Sequence, residues 1–387
     1  MSLKMFPTVL VKYLIRITFF MFSFLFPVNQ NKITFASYRS EELEGNLLYL
    51  YKEFEKQDCN FRYKFLFKRY RSSLFGKFHY VLHMVQACYA LATSRFFIID
   101  DFYFPVYAIK PRKGTDIVQL WHGAGAFKKF GLSTINKPFG PSKEYLKFIK
   151  IHSNYSRVYV SSKNVIPHYS EAFDMEEEKI LPLGIPRTDF FFNGDLKSSI
   201  MKKFKELYPE FHNKKLILYA PTFRGSSHYQ EDFENPINIP LLKEIVGNDY
   251  ALIIHLHPYM KSGIIIEEKD RCFARQITDG FTVEELLAIT DVLITDYSSI
   301  IFDFSLLNRP IAFFANDLED YIKERDFYYD FKTIIPGPLF TETIDLANWI
   351  KTESCNFDKI MKFKEYFFDY HDGKASERIV KHLLSIR

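Results

Sequence analysis

Cysteine is scarce in this chain. Cys59, Cys88, Cys272 and Cys355 stand far apart, with no CxxC pair and no histidine at metal-ligand spacing. That excludes a disulfide framework and a zinc ribbon, and it suits a reducing compartment. Net charge is scarce too: 51 Lys and Arg against 47 Asp and Glu leave +4, too little to indicate a nucleic-acid binder. There is no Walker A loop, no HExxH and no Asp-x-Asp pair, so the sequence offers no familiar handle for a phosphate-bound metal. No repeat of solenoid period and no low-complexity tract occurs.

What the chain does have is length, apolar residues and aromatics. Its 387 residues exceed what one core usually holds, and 47% apolar with 25% charged residues is a globular composition. Phe (42) and Tyr (25) bring aromatics to 18%, which either fill cores or make a surface that meets lipid or sugar rings.

The first 29 residues carry Lys4, Lys12 and Arg16, then an uncharged apolar run from Ile17 to Val28. No small-residue cleavage site follows, and the run falls short of the roughly 20 residues a spanning helix needs. Residues 1–29 therefore read as an amphipathic segment lying on a membrane surface, its cations snorkelling to headgroups. A helix buried against the first domain is the alternative. A second basic and aromatic stretch, "KFLFKRYRSSLFGKF", holds Lys64, Lys68, Arg69, Arg71 and Lys77, and is either a solvated face or a patch for anionic lipid.

Beyond residue 30, continuous apolar runs alternate with helical patterns. "KITFAS", "RFFIID", "DIVQLWHG", "RVYVSS" and "KILPLG" predict strands in the first half. "KLILYAPT", "YALIIHLHP", "DVLITD" and "PIAFFA" do so in the second. Continuous rather than alternating polarity predicts strands covered on both faces, hence α/β with doubly wound parallel sheets. Gly184, Pro186 and Gly194 punctuate the midpoint. Two Rossmann-like domains are expected, at 30–190 and 195–365, with a C-terminal helix at 366–387. Ligands of such sheets bind beyond the carboxyl ends of the strands, here predicted to line a cleft between the domains.

Candidate site residues follow strands. In "QLWHGAGAFKKFG", His122 ends a strand, Gly123 and Gly125 form a turn exposing backbone N–H groups, and Lys128 adds a cation. The third glycine of a dinucleotide fingerprint is missing, so an anion-binding turn with His122 as general base is the functional reading, against a structural histidine. "YAPTFRG" places Thr222 and Arg224 after a strand, the latter a planar fork for phosphate oxygens. "LIIHLHPY" places His255 and His257 two apart, His257 as a phosphate donor and His255 as either ligand or structural. "LITDYSSIIFDF" ends a strand with Thr295 and Asp296, and Ser298 and Ser299 sit where a helix begins, a phosphate cradle as well as a cap. Asp296 would repel phosphate and is expected to orient a neighbour or the backbone. Glu284 and Glu285 are weaker candidates for a ribose.

Together, "QLWHGAGAFKKFG", "GIPRTDFF", "APTFR", "HLHP", "LITDYSSIIFDF" and "YHDGKASERI" resemble the CDP-glycerol glycerophosphotransferase family of teichoic-acid synthesis. The resemblance implies a GT-B fold and a peripheral position on the cytoplasmic face of the cell membrane. It implies transfer of glycerol phosphate from CDP-glycerol to an undecaprenyl-diphosphate-linked disaccharide acceptor, as in the primase of that family. Under it His122 and His257 are the essential histidines, and Arg224, Ser298 and Ser299 contact phosphate. No cofactor and no metal are expected. A polymerase using CDP-glycerol or CDP-ribitol, or a glycosyltransferase using a nucleotide sugar, are the alternatives.

Overall fold

In the computed structural model, which describes residues 5–57, 60–68, 74–135, 137–226, 229–230, 235–257, 260 and 263–386, every run named above contributes a strand. The chain divides into two compact units, Met1–Asp189 with Lys374–Arg387, and Phe190–Gly373.

The first unit is built on β1 (Asn29–Ser37), β2 (Arg62–Phe67), β3 (Ser94–Ile99), β4 (Asp116–Gln119), β5 (Arg157–Tyr159) and β6 (Ile180–Leu181). They form a parallel sheet in the order β2-β1-β3-β4-β5-β6. The middle strands are buried on both faces. Phe35, Phe96 and Ile98 pack with Leu47, Leu50 and Phe54 of the helix Gly45–Lys56 and with Ile379 and Leu383 of the helix Ala375–Ser385. Each such side chain contributes about 1.5–3 kcal/mol by leaving water.

The C-terminal helix therefore completes the first unit. Its return is fixed by two stretches far apart in sequence. Asp189, in "GIPRTDFF", accepts the Ala375 and Ser376 amides at 2.8 Å each, and Arg378 Nε donates to the Leu183 carbonyl at 3.0 Å. Gly184 has φ +102°, and a Cβ there would lie 2.7 Å from Ala375 Cβ, so only glycine lets the helix come this close.

The second unit holds β7 (Lys215–Tyr219), a small hairpin of β8 (Gly225–Ser226) and β9 (Tyr229–Gln230), then β10 (Tyr250–Ile254), β11 (Ala274–Gln276), β12 (Val292–Thr295), β13 (Ile311–Phe314) and β14 (Leu339–Phe340). Its parallel sheet runs β11-β10-β7-β12-β13-β14. The helix Val283–Ile289 starts with a capping box between Thr282 and Glu285, which occupies Glu285 and withdraws it as a ribose ligand.

Five strands, β2, β11 and β14 of the sheets and β8 and β9 of the hairpin, had no clear sequence signal. β2 is an edge strand with Arg62 and Lys64 exposed, charges that discourage pairing with another chain. Lys64 is thus part of a sheet edge. Arg69, Arg71 and Cys59 lie outside the described residues.

The N-terminal segment forms the helix Phe6–Leu25, which packs through Ile15 and Phe19 on the first unit. Of its cations, Lys4 lies outside the described residues, and Lys12 and Arg16 are bound to the protein where outward snorkelling was expected. Lys12 Nζ donates to the carbonyl of Phe148 and Arg16 Nε to that of Ala108 at 3.0 Å, each the last residue of a short helix. Orphan carbonyls at helix C-termini attract cations, and here they hold the head groups of Lys12 and Arg16, the latter an exposed residue. The apolar side is left outside, with Phe20 71% and Phe24 83% exposed.

Candidate active site

In each sheet the chain leaves in opposite directions from two adjacent strands, β1 and β3 in the first unit, β7 and β12 in the second. Crevices beyond the carboxyl ends at such switch points are the ligand sites of open parallel sheets. The candidate residues gather at both.

In the first unit, Trp121 has φ +54°, a left-handed conformation that costs a non-glycine residue on the order of 1–2 kcal/mol. Its amide donates to Gln119 Oε1 at 2.7 Å, and its carbonyl accepts Asn46 Nδ2 at 2.8 Å. Asn46 Oδ1 also accepts the Arg187 amide at 3.0 Å, tying the His122 loop to "GIPR". The Trp121 ring stacks on His122 (4.6 Å) and Phe130 (5.3 Å). Nothing in the sequence marked buried Asn46 for this task.

His122 leaves this strained corner with 36% of its side chain open and its Nδ1 shielded, 3.6 Å from Asp101 Oδ2. Burial pushes its pKa down to about 4; Asp101 opposes the shift, and Arg39 and Arg187 reinforce it. Solvent at the open ring edge limits that shift, but its direction leaves a neutral imidazole at neutral pH, the form a general base requires. Gly125 departs from expectation: its amide donates to Ser161 Oγ at 3.1 Å and is spent, because the turn is held against the strand-end loop. Gly123 has open space where a Cβ would be, and Lys128 is half-buried.

Two further histidines of this unit are buried without facing the site. His83 meets Tyr103 Oη at 2.8 Å and His152 meets Tyr155 Oη at 3.1 Å. Burial lowers both to about 4, with the Lys68 charge adding at His83 and Asp101 opposing at His152. Unfolded imidazoles take protons below about 6.5, whereas these refuse them until near pH 4. The unfolded state then binds more protons in that window, so stability present at neutral pH is lost as pH falls through it, by several kcal/mol at about 1.4 kcal/mol per unit. Melting temperatures taken between about pH 7 and pH 4.5 should fall steeply for the wild type and less for a His83→Gln, His152→Gln variant; equal slopes would contradict this.

In the second unit, Asp296, 2% exposed, organises the switch point. It accepts the Thr222 amide at 2.8 Å, Thr222 Oγ1 at 2.6 Å, Arg224 Nη1 at 2.9 Å and the Tyr297 amide. Arg224 donates in a bidentate fork to Asp317, Nε to Oδ2 at 2.6 Å and Nη2 to Oδ1 at 3.2 Å, and through Nη1 to the Thr222 carbonyl at 2.7 Å. Its guanidinium also lies over Tyr297 and Tyr321, 5.0 and 5.2 Å from their ring centres. Burial works against this charge, but Asp296 and Asp317 raise the Arg224 pKa. Burial likewise opposes Asp317, yet the Arg224 and Tyr297 hydrogen bonds hold it below the usual carboxylate range.

This geometry revises several expectations. Arg224 and Thr222 are bound within the protein, so their donors mostly hold the loop rather than reach for phosphate. Thr295 is fully buried, its hydroxyl donating to the Ala220 carbonyl at 2.7 Å, and stitches β12 to the end of β7. The helix after the strand is short, Ile300–Ser305, and Ser299 precedes it without a side-chain cap, while Ser298 Oγ accepts the Ile300 amide at 3.4 Å. Both serines are half-buried. β10 ends at Ile254, so His255 and His257 do not share a strand face. His255 Nδ1–H donates to the Ile277 carbonyl at 2.9 Å, and His257 is exposed with its ring 4.9 Å from Phe223. Asp317, which completes the ionic cluster, lies on the loop after β13 and was missed. Among the described residues no three His, Cys, Asp or Glu side chains converge to hold a metal ion.

Each unit is thus an open parallel sheet of a GT-B-like α/β fold with a polar cluster at its switch point. The chain belongs to the CDP-Glycerol:Poly(glycerophosphate) glycerophosphotransferase family, whose profile matches residues 17–385. It is 44% identical to the teichoic acid ribitol-phosphate primase of Bacillus spizizenii over 99% of this chain and 98% of that protein. A teichoic acid poly(ribitol-phosphate) polymerase of the same organism is 41% identical over 93% of this chain, which spans 57% of that protein. The glycerol-phosphate primase of B. spizizenii is 29% identical over 86% of this chain and 88% of that protein. Among solved structures, the wall teichoic acid polymerase TagF shares the fold, with TM-score 0.75 and 23% identity over 99% of this chain and 98% of that one.

Proposed function

We propose that the chain is a primase-type transferase of teichoic acid synthesis that moves a polyol phosphate from a CDP-alcohol to a lipid-linked disaccharide. An acceptor hydroxyl attacks the β-phosphorus, a new P–O bond forms, the diphosphate bridge breaks and CMP leaves. What supports this reading most is placement: the motifs carrying its chemistry lie at the switch points of both sheets. The donor is read as CDP-ribitol in preference to the CDP-glycerol expected from the sequence, because the 44% match to a ribitol-phosphate primase runs end to end, against 29% for the glycerol-phosphate primase.

In this reading His122 removes the hydroxyl proton. Ser298 and Ser299, on a loop that Asp296, Arg224 and Asp317 keep rigid, and His257, on the separate loop after β10, face the donor phosphates. Transfer of this kind is mostly positioning and charge neutralisation. The test is incubation with CDP-ribitol, CDP-glycerol or a UDP-sugar plus an undecaprenyl-type disaccharide acceptor, followed by product mass spectrometry. One added ribitol phosphate is expected. A glycosidic product, or no product with either CDP-alcohol, overturns the reading.

The lipid acceptor places the protein at the cytoplasmic face of the membrane. Leu14, Ile17, Phe20 and Phe24 of the first helix, with Val81 and Val85 of the helix Leu74–Thr93 packed beside it, supply an exposed apolar face for the bilayer interface. Burying each Phe in lipid is worth about 1.5–3 kcal/mol, so Phe20→Glu with Phe24→Glu should weaken sedimentation with phosphatidylglycerol vesicles by at least about tenfold. Unchanged sedimentation would remove this face from the account.

A further inference from the structure

Asp101, just past β3, has no task in the account so far, yet almost every atom of it is fixed. Its Oδ1 accepts the Phe102 amide at 2.6 Å, and its carbonyl accepts Gln119 Nε2 at 3.0 Å. Gln119 also binds the Trp121 amide, so the residue before His122 and the carboxylate beside it hang from one side chain. Tyr155 Oη, 3.1 Å from Gln119 Nε2, holds that amide from behind. The second oxygen, Oδ2, has Arg39 Nη1 at 3.4 Å and His122 Nδ1 at 3.6 Å.

The Nδ1 edge is the informative one. It is sealed from solvent and has no hydrogen-bond partner in this geometry, an arrangement that costs roughly 1–3 kcal/mol unless relieved. The acceptor aimed at it is Asp101 Oδ2. At 3.6 Å the pair is too long for a hydrogen bond. Catalytic hydrogen bonds are often loose without substrate and tighten in the complex. The Trp121 stack permits a small approach while preventing the ring from turning away.

We infer that Asp101 is the positioning residue for His122: its carboxylate accepts the Nδ1–H, which leaves Nε2 unprotonated and facing the acceptor hydroxyl. The inference rests on His122 being the base of the proposed transfer. The Asp100 backbone also favours a protonated ring, but Nδ1 itself has no hydrogen-bond partner; without the carboxylate the Nδ1–H tautomer loses its charged acceptor, and the Nε2–H form cannot take a proton. Arg39 tempers the charge of Asp101, and the neighbouring Asp100 carboxyl is pushed up to about 7 by burial, with the Ser37 hydrogen bond opposing. Asp101 is the carboxylate that favours the protonated ring, from 3.6 Å, and Arg39 and Arg187 are the cations that oppose protonation.

Two readouts test this. In the ligand-free protein, ¹⁵N NMR of the His122 ring, assigned by difference from His122→Gln, should show the Nδ1–H tautomer, and Asp101→Asn should shift it toward Nε2–H. With CDP-alcohol and lipid acceptor, Asp101→Asn should lower kcat by about 10²–10⁴-fold with donor KM changed less than about threefold, and should add nothing in a His122→Ala background. An Nε2–H tautomer in the wild type, or Asp101→Asn kcat within about threefold of wild type, overturns the inference. Should the wild type turn over no CDP-alcohol, the proposed function fails while the NMR result still decides the role of Asp101.

Discussion

Replacing His122 by alanine should lower transfer from CDP-alcohol to lipid acceptor by about 10²–10⁴-fold while leaving donor affinity and melting temperature close to wild type. The effect is large because no neighbour can substitute. Among the side chains that act on the His122 ring, Arg39 and Arg187 are guanidinium cations, which offer no acceptor for a proton, and Asp101 faces the shielded nitrogen. Affinity for donor should be spared because the groups proposed to face the donor belong to the second unit. Stability is spared because the ring is partly open and its shielded Nδ1 has no hydrogen-bond partner that the substitution would orphan. The acid limb of kcat/KM in the wild type should lie below the ordinary imidazole range, since burial lowers the His122 pKa. Turnover within about threefold of wild type in His122→Ala would remove the base from the mechanism.

The second large effect is on the other unit. Asp296→Ala strips a buried acceptor from the Thr222 amide and hydroxyl, the Tyr297 amide and Arg224 Nη1. Breaking a buried pair by removing one partner costs about 3–5 kcal/mol, because the surviving charge stays desolvated. Arg224 keeps its fork to Asp317, which moderates the loss without cancelling it. The unit should melt lower by roughly 2–4 °C for each kcal/mol lost. Donor affinity should fall about 100-fold or more, equal to about 2.7 kcal/mol, since the Thr222 loop and the Ser298 turn lose their common anchor. Asp296→Asn, which keeps shape and one acceptor oxygen, should fall between. A variant Asp296→Ala with wild-type melting and donor affinity would mean the cluster holds nothing.

Central strands were legible because double burial writes continuous apolar runs such as "RFFIID" and "DVLITD". The edge strands β2, β11 and β14 were not, since edges are short or carry charge: β2 is broken by Arg62 and Lys64. Residues at strand ends were legible for the same reason the strands were, and His122, Arg224 and Asp296 all lie there. Their partners were not. Asp317 is 93 positions from Arg224, and the pairing that turns a phosphate-type arginine into an internal strut exists only in three dimensions. Asp101 did leave a signal, an acidic pair closing "RFFIIDD", the same kind of polar mouth on an apolar strand as "LITDYSS". Thr295 illustrates the limit: a hydroxyl at a strand end reads as available, and only the register of β12 against β7 shows it turned inward.

The most direct test is a crystal structure of the protein soaked with CDP-ribitol or CDP-glycerol. The diphosphate should lie beyond the ends of β7 and β12, within hydrogen-bonding distance of Ser298 or Ser299, with the Asp296–Arg224–Asp317 cluster intact behind it. A nucleotide seated at the ends of β1 and β3 beside His122, or an Arg224 swung out of its carboxylates to grip phosphate, would contradict the division of labour between the two sheets.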